Sequence, residues 1–234
     1  MGNALAVLKP GKLTQIWKIL EICVESDLIV IMQAANTGLT GGSTPFGSDY
    51  DRPIVIINTM RIKDIHIIKE GSQIVGLTGS TLYGLERKLK PYGREPHSII
   101  GSTSIGASII GGICNNAGGS LVQRGPSYTE MALYARISKT GKLELVNELG
   151  INLGSNPEEI LDNLQNQNYD ESDINETDQL GSDNKYSEIV REIDKSTPAR
   201  YNSDSRLLYG ASGSAGKIAV FAVRLDTYIS PTDC

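Results

Sequence analysis

Residues 33–48 of this 234-residue chain read Gln-Ala-Ala-Asn-Thr-Gly-Leu-Thr-Gly-Gly-Ser-Thr-Pro-Phe-Gly-Ser, and the segment narrows the possible folds more than any other. Two apolar runs flank it: Leu28-Ile29-Val30-Ile31-Met32 before and Ile54-Val55-Ile56-Ile57 after. Each has the length and β-branched content of a buried strand. Between them stand small residues, hydroxyls, two amides and four glycines: Gly38, Gly41, Gly42 and Gly47. Glycine accepts positive φ and carries no Cβ, so such a loop can turn its backbone N–H groups toward an anion at close range. Thr37, Thr40, Ser43 and Thr44 add hydroxyls without bulk. The loop is therefore expected to cradle the pyrophosphate of a dinucleotide. It is not the usual GxGxxG fingerprint, because no helix pattern follows it.

The remaining chain is consistent with a scaffold for that loop. Residues 4–8 form a short apolar run closed by Lys9-Pro10-Gly11. Apolar positions 13, 16, 17, 20, 23 and 24 have helical spacing with one buried stripe. Strand, helix and strand within so short a span suggest a βαβ unit. The pattern then changes to hairpins: 64–68 with 73–77, and 131–137 with 142–146. A short helix is expected over 81–89, stopped by Pro91 and Gly93, and a last strand over 217–228. Residues 156–200 hold 12 of the 27 acidic side chains and few large apolar ones. They suggest short helices near 157–165 and 186–194 with a mobile acidic loop between.

A chain of this length can bury one large domain or two small lobes. A formal net charge of −5 argues against a nucleic-acid partner. Cys23, Cys114 and Cys234 show neither disulfide nor metal spacing, and Cys23 and Cys114 read as buried free thiols. No metal site is expected. The opening residues show no secretory pattern, and no apolar run approaches bilayer length, so membrane association is expected to be peripheral or to come from another polypeptide.

A second stretch, from Gly101 to Ser120, is nearly free of large polar groups and mixes helix formers with glycines. An interior glycine costs a helix roughly 1 kcal/mol relative to alanine, so something must come close to this backbone. Tight helix-on-sheet packing and a flat ring system both fit. Tyr92, Arg94, Glu95 and His97 cluster just before it, and His97, like His66, reads as a hydrogen-bonded structural residue rather than an acid–base group. Residues 212–218 faintly resemble a P-loop, but the upstream glycine is missing and Ile218 replaces the required hydroxyl.

Three motifs together carry a family resemblance: residues 33–45, Gly93-Arg-Glu-Pro-His-Ser98, and Gly111-Gly-Ile-Cys-Asn-Asn116 followed by residues 119–126. They resemble the respiratory quinone-dependent D-lactate dehydrogenases, flavoproteins with an FAD domain of the vanillyl-alcohol-oxidase or p-cresol-methylhydroxylase (PCMH) type. The resemblance runs from about residue 4 to 228 and is weakest in the acidic segment. It implies an α+β, two-lobed FAD-binding domain over 1–230. A small βαβ lobe would occupy about 1–60, and a larger lobe of mixed and antiparallel sheet with helices about 61–230, carrying an acidic insert over about 156–200. It also implies that Ala34, Ala35, Asn36, Thr37, Gly38, Gly42 and Ser43 hold the pyrophosphate and ribose. Gly101, Ser108 and Gly118 would lie along the FAD, and Val220 would contact it. In some relatives a histidine of the first loop carries the flavin covalently. None lies between residues 33 and 48 here, so FAD is expected to be non-covalent.

The family's substrate-capping domain, its catalytic histidine and its basic membrane-binding surface have no counterpart in residues 1–234. No catalytic residue is therefore expected in this chain. The implied reaction of the complete enzyme is oxidation of D-lactate to pyruvate through FAD, with quinone as acceptor, at the cytoplasmic side of the inner membrane. The isolated chain is expected to be soluble and to bind FAD without full turnover. Two alternatives stay open: the FAD module of another 2-hydroxy-acid oxidoreductase of the glycolate type, or a non-catalytic flavin-binding subunit completed by a separate C-terminal chain.

Overall fold

A computed structural model describes residues 2–119, 124–195 and 204–231. Residues 120–123 of the third motif, residues 196–200 of the acidic segment and Cys234 lie outside the described residues. The fold is α+β. Strands β1 (Ala6–Leu8), β2 (Ile29–Gln33) and β3 (Ile54–Asn58) make a parallel sheet in the order β1-β3-β2, and helix α1 (Leu13–Glu25) links the first two strands. The apolar stripe of α1 buries Leu13, Ile16, Trp17, Leu20 and Cys23. Val24, expected on that stripe, is 37% exposed, whereas Cys23 beside it is buried.

A second sheet is antiparallel throughout. It comprises β4 (Ile65–Ile68), β5 (Gln73–Leu77), β7 (Ala132–Ile137), β8 (Leu143–Asn147) and β9 (Ala219–Asp226) in the order β4-β5-β9-β7-β8. Both hairpins read from the sequence are present. One face meets α1, the parallel sheet and α4 (Pro157–Asn166) in a single apolar core around Trp17, Ile57, Leu133, Leu161 and Phe221. The other face is covered by α2 (Leu82–Leu89) and α3 (Ile109–Cys114), with Leu85, Ile109, Ile113, Tyr134 and Val220 inside. A bulge opposite Leu133 and Tyr134 shifts the register of β9 by one residue, so consecutive Phe221 and Ala222 both face the α1 side. A small ribbon of β6 (Arg94–Glu95) and β10 (Tyr228–Ile229) is braced by Arg124, whose guanidinium lies 4.2 Å from the Tyr228 ring centre and pairs with Glu95.

The acidic segment differs from its expectation. It is tied to the second sheet by a few well-separated anchors. Tyr169 Oη lies 2.7 Å from His66 Nδ1, Lys69 pairs with Glu176 at 2.9 Å, and Ile174 bridges to Ile151. Helix α5 (Tyr186–Ile189) is shorter than predicted. Tyr186 is buried, but Ile193, within the expected helical span, is 87% exposed, so no apolar face continues the helix.

Candidate functional site

The parallel strands β2 and β3 end side by side in Gln33 and Asn58, and the loop of interest leaves from the first of them. In open α/β sheets, ligands collect in the crevice beyond the carboxyl ends of the strands. Here that crevice is walled by the start of α2 and the 104–106 turn, which are attached to the second sheet. The β5–α2 turn is pressed against the β3–β4 turn: Gly79 N donates to Ile62 O at 2.7 Å, and Thr59 Oγ1 donates to Thr78 O at 3.2 Å. A Cβ on Gly79 would stand 2.2 Å from Thr59 O, so only glycine permits this approach. Leu82 N donates to Ala107 O and Ile109 N to Ser80 O, both at 3.0 Å, which lays residues 104–106 over the start of α2. Gly106, at φ 91°, makes the reversal there.

The result is an open cleft of about 620 Å³, within the range of small-molecule sites. One wall is Gln33, Ala34, Ala35 and Asn36; the floor is Asn58, Met60 and Lys63; the other wall is Thr81, Tyr83, Ser104, Ile105 and Gly106. A neighbouring hollow of about 500 Å³, which shares Tyr83 and Ser104, includes Gly101 and Thr103. The structure therefore brings the first glycine-rich loop and the start of the second stretch to one crevice.

The eleven residues implied by the resemblance fall into four groups. Ala34, Ala35 and Asn36 line the cleft, and Thr37, Gly38, Gly42 and Ser43 continue the same loop. Gly101 lies in the adjoining hollow. Ser108 caps α3, its Oγ accepting Gly111 N at 3.0 Å. Gly118 is exposed and bridges to Pro126, and Val220 is 4% exposed inside the α3-side core, so neither borders the cleft.

The loop has the donors an anion needs. Among the described residues, the backbone N–H groups of Ala35, Asn36, Thr37 and Gly38 donate no hydrogen bond. A Cβ on Gly38, Gly42 or Gly101 would meet nothing within 4 Å, and none of the three adopts a left-handed φ. Neither packing nor backbone strain explains glycine at these positions, whereas close approach of a ligand does. Among the described residues, Lys63 is the one charged residue lining the cleft, and its sign suits a diphosphate. These features fit a dinucleotide.

Asn58, Lys63 and Tyr83 were not singled out from the sequence, whereas the 104–106 turn belongs to the second stretch that was. The signal available for Asn58 was its place at the end of an apolar parallel strand. His66 and His97 lie away from the cleft. Burial lowers both imidazoles to about 4, aided by the positive charge of Lys88 for His66 and of Arg124 for His97. His97 Nε2 lies 3.2 Å from Ser127 Oγ, as expected of a structural residue. Ser212 Oγ accepts Thr129 N at 3.0 Å and donates to Thr129 O at 2.7 Å, so the P-loop-like segment is a packing knot. Cys23 is buried and Cys114 partly buried, both as free thiols. Among the described residues no His, Cys, Asp and Glu cluster could hold a metal, and no helix is long and apolar enough to cross a membrane.

Comparison with known proteins shows the family. The chain is similar to the quinone-dependent D-lactate dehydrogenase of Haemophilus influenzae, with 62% identity over 227 residues that cover 97% of this chain and 40% of that protein. It is 57% identical over the same span to the enzyme of that name from Escherichia coli. The chain thus spans about 40% of these relatives' length. Alkyldihydroxyacetonephosphate synthase shares the fold, with a TM-score of 0.59 and 12% identity over 97% of this chain and 32% of that one. A family model described as FAD binding domain matches residues 4–143, which contain both walls of the cleft. The chain belongs to the FAD binding domain family.

Proposed function

We propose that this chain is the FAD-binding module of a dehydrogenase that oxidises D-lactate to pyruvate and passes the electrons to a quinone. The observation that carries the cofactor reading is the loop itself, with undonated amides and open glycines, facing residues 104–106 across the cleft. Ala35, Asn36, Thr37 and Gly38 would hold the diphosphate through backbone N–H groups, with Lys63 as counter-charge. The long identity to D-lactate dehydrogenases supports the substrate class. When bound, the flavin supplies the hydride acceptor. This chain binds it, orients it and shields one side. With no histidine in the first loop, attachment is non-covalent. Residues 1–60 and 61–230 act as two lobes around the cofactor. Residues of the complete enzyme beyond this chain supply the catalytic groups, and the complete enzyme associates peripherally with the cytoplasmic side of the inner membrane.

The test is the visible spectrum of the purified chain after incubation with FAD and desalting. A retained flavin spectrum is expected, and FMN should be retained less well because it lacks the second phosphate and the adenosine. A colourless protein contradicts the cofactor reading. D-lactate-dependent dye reduction by residues 1–234 alone should be absent, and steady turnover would show that the catalytic groups lie within this chain.

A further inference from the structure

The loop that faces the cleft is closed at its neck by side-chain amides. Gln33 Nε2 donates to the Ser43 carbonyl at 2.8 Å, spanning ten residues, while Gln33 Oε1 accepts Asn58 Nδ2 at 2.9 Å. Asn58 Nδ2 also reaches Ala34 O at 3.3 Å, and Asn58 Oδ1 accepts Met60 N at 3.2 Å. The amide orientation of both side chains is thereby fixed, since each oxygen faces a donor and each nitrogen an acceptor. Inside the neck, Ser43 Oγ donates to Asn36 Oδ1 at 2.6 Å, and Asn36 adopts the left-handed φ of 54°. Beyond it the loop is held by local turn bonds alone: Leu39 is fully exposed, Gly41 N donates to Gly38 O at a long 3.4 Å, and Thr44 N and Oγ1 both donate to Gly41 O at 3.1 Å.

We propose that Gln33 and Asn58 are positioning residues, a two-amide clasp on the ends of β2 and β3 that presets the shape of residues 34–43 before a ligand arrives. The inference rests on the FAD reading above and deepens it by naming what organises the site. An anion held by backbone N–H groups binds tightly only when those groups already converge, because ordering a free loop consumes binding energy. The clasp supplies that order from the rigid end of a parallel sheet, and it does so with neutral groups that add no charge beside a diphosphate. The two residues act through one another, so removing either should release the neck.

The experiment compares the purified chain with Gln33→Met, Asn58→Ala and the double variant. Three quantities are read: FAD affinity by flavin fluorescence, melting temperature, and the rate of chymotryptic nicking between residues 36 and 46, located by mass spectrometry. Each single variant should weaken FAD binding about tenfold, the loss of one or two ordinary hydrogen bonds. Nicking at Leu39 should quicken in both while the melting temperature moves little. The double variant should bind no worse than the weaker single one, because the pair works as a unit. FAD affinity unchanged in both single variants overturns the clasp. Weaker binding without faster nicking also overturns it, since that marks direct ligand contact instead of positioning. A wild-type chain that binds no FAD overturns the cofactor reading and the clasp with it, and that failure is visible before any variant is made.

Discussion

The loop at 33–48 and the stretch at 101–119 look alike in sequence, yet their glycines serve opposite ends. In the stretch, a Cβ on Gly119 would stand 2.3 Å from Ile99 O, and one on Gly112 would stand 3.3 Å from Ser127 Oγ. Those glycines let the chain's own parts meet. In the loop, Gly38 and Gly42 face open space. They leave room for something that is not the chain. The stretch itself divides, since Gly101 and Gly106 are open while Gly111, Gly112 and Gly119 are crowded. Glycine richness therefore marks two different needs, and the room that a Cβ would find tells them apart where composition cannot.

Four predictions press on that contrast. The largest effect belongs to a crowded glycine: Gly79→Val should cost about 4 kcal/mol of folding stability, because two backbone carbonyls cannot yield; denaturant melts measure it, and a loss below about 1 kcal/mol would show that the turns can part. The packed side also predicts the acid response. His66 and His97 have folded pKa values lowered to about 4 from the ordinary 6.5. The unfolded chain therefore binds their protons first. Stability is full above pH 6.5, falls as the pH drops toward 4, and falls no further on their account below it. The loss is on the order of 3 kcal/mol per histidine at most. Melts of the wild type and His97→Gln from about pH 7 to about pH 4 check this, and the variant should show the shallower decline.

Effects at the open side are smaller and appear in binding. Gly38→Val or Gly42→Val should weaken FAD roughly 10- to 100-fold, the worth of one charge-assisted hydrogen bond or slightly more, with the melting temperature nearly unchanged. Lys63→Gln should weaken it roughly fivefold at low salt and flatten the salt dependence; titrations at two ionic strengths distinguish this from loss of shape.

Much of the fold was legible because apolar periodicity reports burial directly. The stripe of α1, the strand runs and both hairpins follow from it. Where the structure departs, sparse anchors are the cause. The acidic segment averages to a solvated loop in composition, but Tyr169, Ile174 and Lys69 fix it at separate points. The loop half of the candidate site was readable because it lacks side chains where side chains are expected, the same feature on which the proposed binding rests. Asn58, Lys63 and Tyr83 were not, because each is an ordinary polar or aromatic residue of a turn or helix until the chain path sets it across from Gln33. Gly118 and Val220, carried over by resemblance, lie outside the cleft, so their relation to the ligand rests on that resemblance.

The most direct test of the central claim is a paired measurement on Gly38→Val/Gly42→Val and the wild type: FAD titration beside thermal melting without ligand. The account predicts matching melts and a flavin affinity reduced by roughly tenfold or more in the variant. Equal affinity with matching melts would mean that the cofactor does not lie against this loop, and the assignment of the cleft would fall.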